Sequence, residues 1–519
     1  MARENHAVPR QYTKQLYLNK TISNTRIFGL KFIKYVFFLV LIYILQFTSI
    51  FLHTNYLLKP CENVGDILKL KQNIAHIQPQ NQVLFHDTSN LSNVMLNNKI
   101  QLIKRASDLK TDMTSSGRAH RDHIYKKFFK VPKNMKNVNC KRIFNGNDTG
   151  KYKRAFKNNV TNNVNNSNIK PEEVTPEDYI TMARDCSAFI GNRRYITHHL
   201  TEEERDFPIA YSILMYTNVE QTERLLRAIY RPQNVYCLHV DAKTDDKIYK
   251  ALTDISKCFE NVFVLNERIN VTWGEISVLE PELMCMKALW KRNKLWKYFI
   301  NLTGQEFPLK TNSEIVKILK AYNGSNDVEA TIADFKDRCM TSNPTLPPPY
   351  GIKVTKGAVH VAVSRGFVDF CLHDKKAQEI LSWMRFSCKI PDEAFFTTLN
   401  HNRQLGVPGS YKGYPETTKM SDRRKPYLAR FKNRIHSKLH HWVCKGRYVR
   451  GMCVLSIGDL PLLAKRPELF ANKFHLEDEP VTIGCLEELM FNRTRDEYLG
   501  KRTFDTKWHS MLGFVLGKL

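Results

Sequence analysis

FPIAYSILMY (Phe207–Tyr216) and KYFINLTGQEFPLK (Lys297–Lys310) open and close the stretch that decides the fold. Four short apolar runs lie within it: Ile209–Tyr216, Val235–Asp241, Val262–Asn266 and Tyr298–Leu302. Each is rich in β-branched and aromatic residues and bounded by turn residues, as strands buried on both faces are. Helical periodicity fills the gaps. Leu225, Leu226 and Ile229 share one face of Val219–Tyr230; Ile248, Leu252, Ile255 and Phe259 share the next; Leu279, Leu283 and Met286 share the third. Strands alternating with helices of this length predict right-handed βαβ units, a parallel sheet and an α/β fold. Such sheets bind ligands beyond the carboxyl ends of their strands. The second run ends His239-Val240-Asp241, so Asp241 is expected at that edge.

Composition narrows the partners. The chain has 519 residues, an ordinary apolar fraction of 42% and a formal charge of +28. So basic a chain suits an anionic partner: nucleic acid, an anionic membrane or a phosphate-bearing ligand. No zinc-finger spacing, basic zipper or RNA-binding signature occurs, which argues against nucleic acid. Many of the cations fall in the N-terminal arm, where a solvated surface accounts for them.

Residues 1–34 carry seven Lys or Arg against the single acid Glu4. Residues 35–52, YVFFLVLIYILQFTSIFL, hold no charge over 18 positions. That nearly meets the roughly 20 residues a spanning helix needs. The basic flank keeps the N-terminus cytoplasmic, which predicts a single-pass, type II signal anchor with the remainder luminal. A cleaved signal peptide fits less well, because the run is long and no small-residue cleavage site follows. Residues 53–139 read as a polar stem, and this composition continues to about Asn168. Glycosylation sequons stand at Asn90, Asn147, Asn159 and Asn165, then at Asn270, Asn301, Asn323 and Asn492. Asn301 lies in a predicted buried strand and is expected to stay unmodified. All 12 cysteines follow the anchor. In a luminal domain disulfides are expected, and the lack of any CxxC pair argues against zinc. Cys444 and Cys453 are close enough to close a small loop.

Four places could carry chemistry. Ile390-Pro391-Asp392-Glu393 precedes AFFTTL, so Pro391 can start a helix with two acids in its first turn. Acids there also compensate the helix dipole, the plainer account. Arg450, in CKGRYVRGMC, and Lys473, in ELFANKF, are each ordinary surface charges taken singly. Together a guanidinium and an ammonium can neutralise a diphosphate without a metal. At the second strand end the pattern is Asp241-Ala242-Lys243, where a metal-binding Asp-x-Asp would need a second acid; a carboxylate-built magnesium or manganese site is therefore not expected. Trp273-Gly274, before the third helix, is either a loop that stacks on a ring or a core plug.

At these residues the chain resembles the core 2 and I-branching β1,6-N-acetylglucosaminyltransferases of the animal Golgi. The likeness runs from about Cys140 to about Tyr498. It is strongest in TPEDYITMARDCSAFI, in FPIAYSI with LLRAIYRPQNVYCLHVD, in INLTGQEFPLKTN and in LFANKF. The resemblance implies a nucleotide-diphosphate-sugar transferase of the A type with a Rossmann-like donor half, spanning residues 140–500 before a C-terminal extension, 501–519. It implies an inverting, metal-independent enzyme of the Golgi membrane that uses UDP-GlcNAc and an O-glycan acceptor on glycoproteins. By analogy Glu393 is the catalytic base, Arg450 and Lys473 clamp the diphosphate, and Asp241 contacts uridine; Trp273, on the stacking reading above, joins the donor-binding residues. Glu329 binds the acceptor, with Lys336 and Arg338 as its partners. The family's pairing gives Cys140–Cys485, Cys186–Cys258, Cys237–Cys285 and Cys444–Cys453. Of the rest, Cys371 and Cys388 are expected to bridge across a helix, and Cys61 is free or links two chains.

Two departures stand out. The family's acceptor-stacking Trp and Tyr fall near Arg434 and His436, and the segment after Glu329 is divergent and proline-rich. Sibling acceptors, UDP-glucose as donor, and a glycan-binding relative without catalysis are the competing readings.

Overall fold

The computed structural model describes residues 135, 138–147, 174–330, 339, 347–413, 427–435 and 442–519, all within one compact unit. The basic N-terminal arm, the apolar run 35–52, Cys61 and the sequons at Asn90, Asn159 and Asn165 lie outside the described residues. Among the described residues no helix is long and apolar enough to cross a membrane.

The apolar runs form strands β1 (Ile209–Met215), β2 (Val235–Val240), β3 (Val262–Val264) and β4 (Tyr298–Thr303). Further along come β5 (Glu306–Pro308), β6 (Asp327–Val328) and β7 (Val361–Ser364). Six of these make one sheet in the order β3-β2-β1-β4-β7-β6. Its first four strands are parallel. β7 runs antiparallel to both β4 and β6, so the sheet is mixed rather than wholly parallel.

Side chains alternate between the two faces, as the pleat requires. Tyr211, Ile213, Tyr236, Leu238, Ile300 and Leu302 face one cluster with Leu225, Leu226 and Leu252. Ala210, Val235, Cys237 and Phe299 face the other with Leu279, Met286 and Leu289. Helices Val219–Ile229 and Asp246–Lys257 therefore cover one face, and Glu280–Arg292 covers the opposite one. The change of face follows from strand order: β2 and β3 extend the sheet to one side of β1, and β4 returns to the other. That reversal opens a crevice between the carboxyl ends of β1 and β4. Gly304 stands there because a Cβ would lie 2.7 Å from Thr222 Oγ1 and 3.3 Å from Met215 Cβ.

Three later strands, β8 (Arg430–Lys432), β9 (Arg447–Val449) and β10 (Met452–Val454), precede β11 (Phe470–Asn472). β5, β11 and β8 form a small second sheet, and β9 with β10 a hairpin. Helix Pro480–Tyr498 packs behind them, and its buried Glu487 pairs with Arg224 at 2.6 Å and Arg227 at 2.9 Å. Residues beyond 500 also pack, with Leu512 and Phe514 buried in the first cluster.

Four disulfides are those the resemblance implied: Cys140–Cys485, Cys186–Cys258, Cys237–Cys285 and Cys444–Cys453. The fifth is a correction. Cys388 pairs with Cys339, not with Cys371, which is free and buried. The reason is length. Cys371 sits just before helix Lys375–Ser387 and Cys388 just after it. Thirteen helical residues span about 20 Å, far beyond disulfide reach. Cys371 instead lies buried in the apolar cluster that also holds Phe367, Val368 and Met384.

Candidate active site

Asp241 lies where β2 ends, its N–H donating to the Met215 carbonyl at 3.1 Å. Its carboxylate accepts from the Lys243 backbone at 2.9 Å and from Lys243 Nζ at 3.0 Å. The same ammonium reaches Asn270 Oδ1 at 3.1 Å and the Val271 carbonyl. Lys243 thus sets its own charge beside Asp241, at the position where an Asp-x-Asp would carry a second acid. Arg268 straps the loop from the other side, donating to the Asp241 and Ala242 carbonyls at 3.0 and 3.2 Å. His239 accepts the Ile269 N–H at 3.0 Å, and burial pushes its ring down to about 4, in keeping with a neutral imidazole.

Glu393 stands at the end of a single 3₁₀ turn, Pro391–Glu393, and helix Phe395–Asn400 follows. The expected helix start is thus one tight turn and then a helix. Ile390 enters the turn at φ 59° and donates its N–H to the Gly274 carbonyl at 2.7 Å. Gly274 is itself at φ +86°. The neighbouring Trp273 is 77% exposed, which removes the core-plug reading of that residue. On the other side, the Glu393 carbonyl accepts the Gly357 N–H at 2.8 Å. A Cβ on Gly357 would lie 2.0 Å from the Glu329 carbonyl oxygen and 2.8 Å from Thr397 Cβ. Only glycine lets these three segments meet. Around the Glu393 carboxylate stand Lys356 Nζ at 4.0 Å and Arg434 at 3.9 Å.

Glu329 follows β6, and its carboxylate is 3.0 Å from Lys432 Nζ on β8. Lys432 above all holds that carboxyl below its usual range, with Arg434 and His360 adding to the effect against burial. The expected partners Lys336 and Arg338 lie outside the described residues, as does His436. Beneath Glu329, fully buried Glu306 pairs with His360 at 3.0 Å and Arg430 at 2.9 Å and accepts from Asn472 at 2.9 Å. Burial alone would raise Glu306; Arg430 and His360 outweigh it.

Arg450 and Gly451 form the two-residue tip of the β9–β10 hairpin, at φ 50° and 76°. Positive φ at both central residues is what a type I′ turn demands. The Cys444–Cys453 bridge closes the base. Lys473 follows strand β11, and its carbonyl accepts the Leu455 N–H at 2.9 Å, beside the hairpin exit. Burial first, then the charges of Arg450 and Arg447, lower the Lys473 ammonium. Arg447 is spoken for by Asp478 at 2.7 Å. The hairpin also reaches the segment that follows β8: the Gly451 carbonyl accepts the Ile435 N–H at 2.9 Å, and Arg434 bridges to Met452.

A family model for the Core-2/I-Branching enzyme matches residues 209–418. Over 330 residues the chain is 36% identical to a human β-1,3-galactosyl-O-glycosyl-glycoprotein β-1,6-N-acetylglucosaminyltransferase, covering 60% of this chain and 77% of that protein. Identity to the human N-acetyllactosaminide β-1,6-N-acetylglucosaminyl-transferase is 37% over 330 residues, covering 60% and 79% respectively. A second human β-1,3-galactosyl-O-glycosyl-glycoprotein β-1,6-N-acetylglucosaminyltransferase, numbered 3, is 32% identical over 385 residues, covering 71% and 86%.

The chain belongs to the core-2/I-branching enzyme family. It is a glycosyltransferase, and its parallel-rich α/β sheet fits a glycosyltransferase fold.

The candidate residues of this core-2/I-branching enzyme fall in separate groups. Asp241 and Lys243 stand at the sheet edge, and the Arg450–Lys473 pair stands on the second sheet and hairpin. Glu393, Glu329, Lys432 and Arg434 gather around Gly357. Sequence reasoning missed Lys432, Lys356 and the Glu306–His360–Arg430 cluster. The first two are lone lysines without a motif, and their partners lie over 30 residues away in sequence. Glu306 was legible only as part of the run GQEFPLK, in which a fully buried acid has no periodic signature.

Proposed function

We propose that this enzyme transfers GlcNAc from UDP-GlcNAc to the C6 hydroxyl of GalNAc in Galβ1-3GalNAc, with inversion and without a metal. The observation that carries the reading is the seat of Glu393. One hydrogen bond fastens its turn to the Trp273–Gly274 loop, and another joins it to Gly357, against which Glu329 packs. A single carboxylate between two substrate-binding segments suits a general base. In the proposed step Glu393 removes the proton from the acceptor hydroxyl as that oxygen attacks C1 of the donor sugar. The C1–O bond to the diphosphate breaks, and UDP leaves with the electron pair. Arg450 and Lys473 stabilise the charge it gains. Asp241 contacts the uridine, Trp273 lies over the donor, and Glu329 with Lys432 holds the acceptor; Lys336 and Arg338 would add to that subsite. What supports the metal-free reading is the Lys243 ammonium already bound to Asp241.

The donor half is read as the Rossmann-like half of an A-type nucleotide-sugar transferase. The basic arm and apolar run at 35–52 support a single-pass type II anchor in the Golgi membrane, and five disulfides suit an oxidising lumen. Cys61 would link two chains if it pairs at all.

The test is incubation in EDTA with UDP-GlcNAc or UDP-glucose and a Galβ1-3GalNAc aryl glycoside, with the linkage read by NMR. A β1,6-linked GlcNAc on GalNAc is expected. Activity abolished by EDTA and restored by manganese overturns the metal-free clamp. The comparable identity to the N-acetyllactosaminide enzyme favours a second reading, I-branching, which transfer confined to poly-N-acetyllactosamine would establish.

A further inference from the structure

Among the described residues, Lys432, Lys356 and Arg434 stand around the two acceptor-side carboxylates, Glu329 and Glu393, three cations to two acids in the ion pairs they form. The three are not equivalent. Lys432 closes on Glu329 at 3.0 Å, a charge-assisted hydrogen bond. Lys356 and Arg434 stop at 4.0 and 3.9 Å from Glu393, beyond hydrogen-bond reach, so their contact with it leaves N–H donors unspent. The Arg434 side chain is 51% exposed, open to an incoming ligand.

Arg434 belongs to the acceptor half rather than to the diphosphate clamp. Its charge acts on Glu329, whereas the charges acting on Lys473 are those of Arg450 and Arg447. The backbone explains this. β8 carries Lys432 and runs on to Arg434, which bridges to Met452 at the base of the hairpin turn. Arg434 therefore stands between the base and the hairpin.

A neutral glycan offers hydroxyls, which carboxylates such as Glu329 and Glu393 bind well. It gives a guanidinium and an ammonium nothing of opposite charge. A planar guanidinium matches a carboxylate or a sulfate through paired N–H donors. A cleft with surplus positive charge also draws anionic substrates by its field.

We propose that the acceptor subsite is built for an anionic glycan, and that Arg434 and Lys356 recognise a carboxylate or sulfate carried near the accepting sugar. This rests on the reading of Glu393 and Glu329 given above. Arg434 and Lys356 act here as specificity determinants and not as participants in bond breaking.

The test compares kcat/KM of the full-length enzyme for three acceptors. These are Galβ1-3GalNAc aryl glycoside, the same with a sulfate ester on its galactose, and the same with a carboxylate-bearing sugar there. At about 20 mM salt an anionic acceptor should be preferred by about 5–10-fold, and the preference should shrink as salt screens the contact. Arg434→Gln and Lys356→Gln should each reduce the anionic-to-neutral ratio, and Arg434→Lys should restore part of it. Binding of UDP to each variant, read by calorimetry, shows that the variant is folded. Preference for sulfate alone, or for carboxylate alone, supports the inference and names the source of the charge. Efficient β1,6 transfer to the neutral acceptor, with no anionic preference or with a ratio indifferent to Arg434→Gln, overturns this inference and leaves the function standing. Absence of transfer to all three overturns the reading of the site, and the inference with it.

Discussion

Ile390 donates its backbone N–H to the Gly274 carbonyl at 2.7 Å. Two residues at positive φ meet there, one in the turn that carries Glu393 and one in the loop that carries Trp273. Gly274→Ala would put a Cβ on a residue at φ +86°, at a cost of about 1 kcal/mol. The strain should relax into the Glu393 turn. We expect kcat to fall by about 10–100-fold, because small misplacements of a catalytic group cost that much. The melting temperature should move little. A variant whose rate loss only tracks its melting temperature would refute the link.

Glu393→Gln keeps the size of the side chain and removes the base. Turnover should drop by about 10²–10⁴-fold. KM for the donor should stay within a small factor, since the proposed clamp on the nucleotide is Arg450 and Lys473, apart from Glu393. Steady-state kinetics decide it, and wild-type turnover in the variant would unseat Glu393.

The clamp has a pH signature. Burial, with Arg450 and Arg447 beside it, lowers Lys473, so its proton leaves at a lower pH than an ordinary lysine's. As pH rises the clamp loses charge, and kcat/KM for the donor should decline on that limb. Lys473→Arg should carry the limb to higher pH. An alkaline limb unchanged in that variant would show that another group sets it.

Asp327 gives a stability test. Burial raises its carboxyl to about 7, although it accepts the Leu428 N–H at 2.9 Å and the Tyr322 hydroxyl at 3.1 Å. The folded chain therefore keeps a proton that the unfolded chain releases, so this contribution is present in acid and lost as pH rises towards about 7. Asp327→Asn does not titrate. Its melting temperature relative to wild type should climb by about 2–5 °C between about pH 5 and about pH 8. A constant difference would contradict the raised carboxyl.

Non-reducing peptide mapping should find Cys339 joined to Cys388. Cys371 should react with alkylating agents only after denaturation, being buried with its thiol pushed up. A Cys371–Cys388 peptide would overturn the Cys339–Cys388 pairing.

The four parallel strands were legible because each is a short apolar run with its helix beside it; their starts at Ile209, Val235, Val262 and Tyr298 read directly from the pattern. The antiparallel flank was not. β6 has two residues and β7 four, too short for a period to declare itself. The same contrast holds at the site. Glu393, Arg450 and Lys473 sit in distinctive local strings. Lys432 and Lys356 acquire meaning only when β8 and the Gly357 segment are brought against Glu329 and Glu393. The disulfide error had the opposite cause: helix Lys375–Ser387 was readable as a spacer, and its length already forbade the expected pair.

Cys140 and Cys485 are 345 residues apart and joined. The bond turns nearly the whole folded unit into a covalent ring. A protease that nicks any loop between the two cysteines opens the ring without releasing a fragment. The halves stay tethered, and the site keeps its parts in reach of one another until a reductant cuts the clasp.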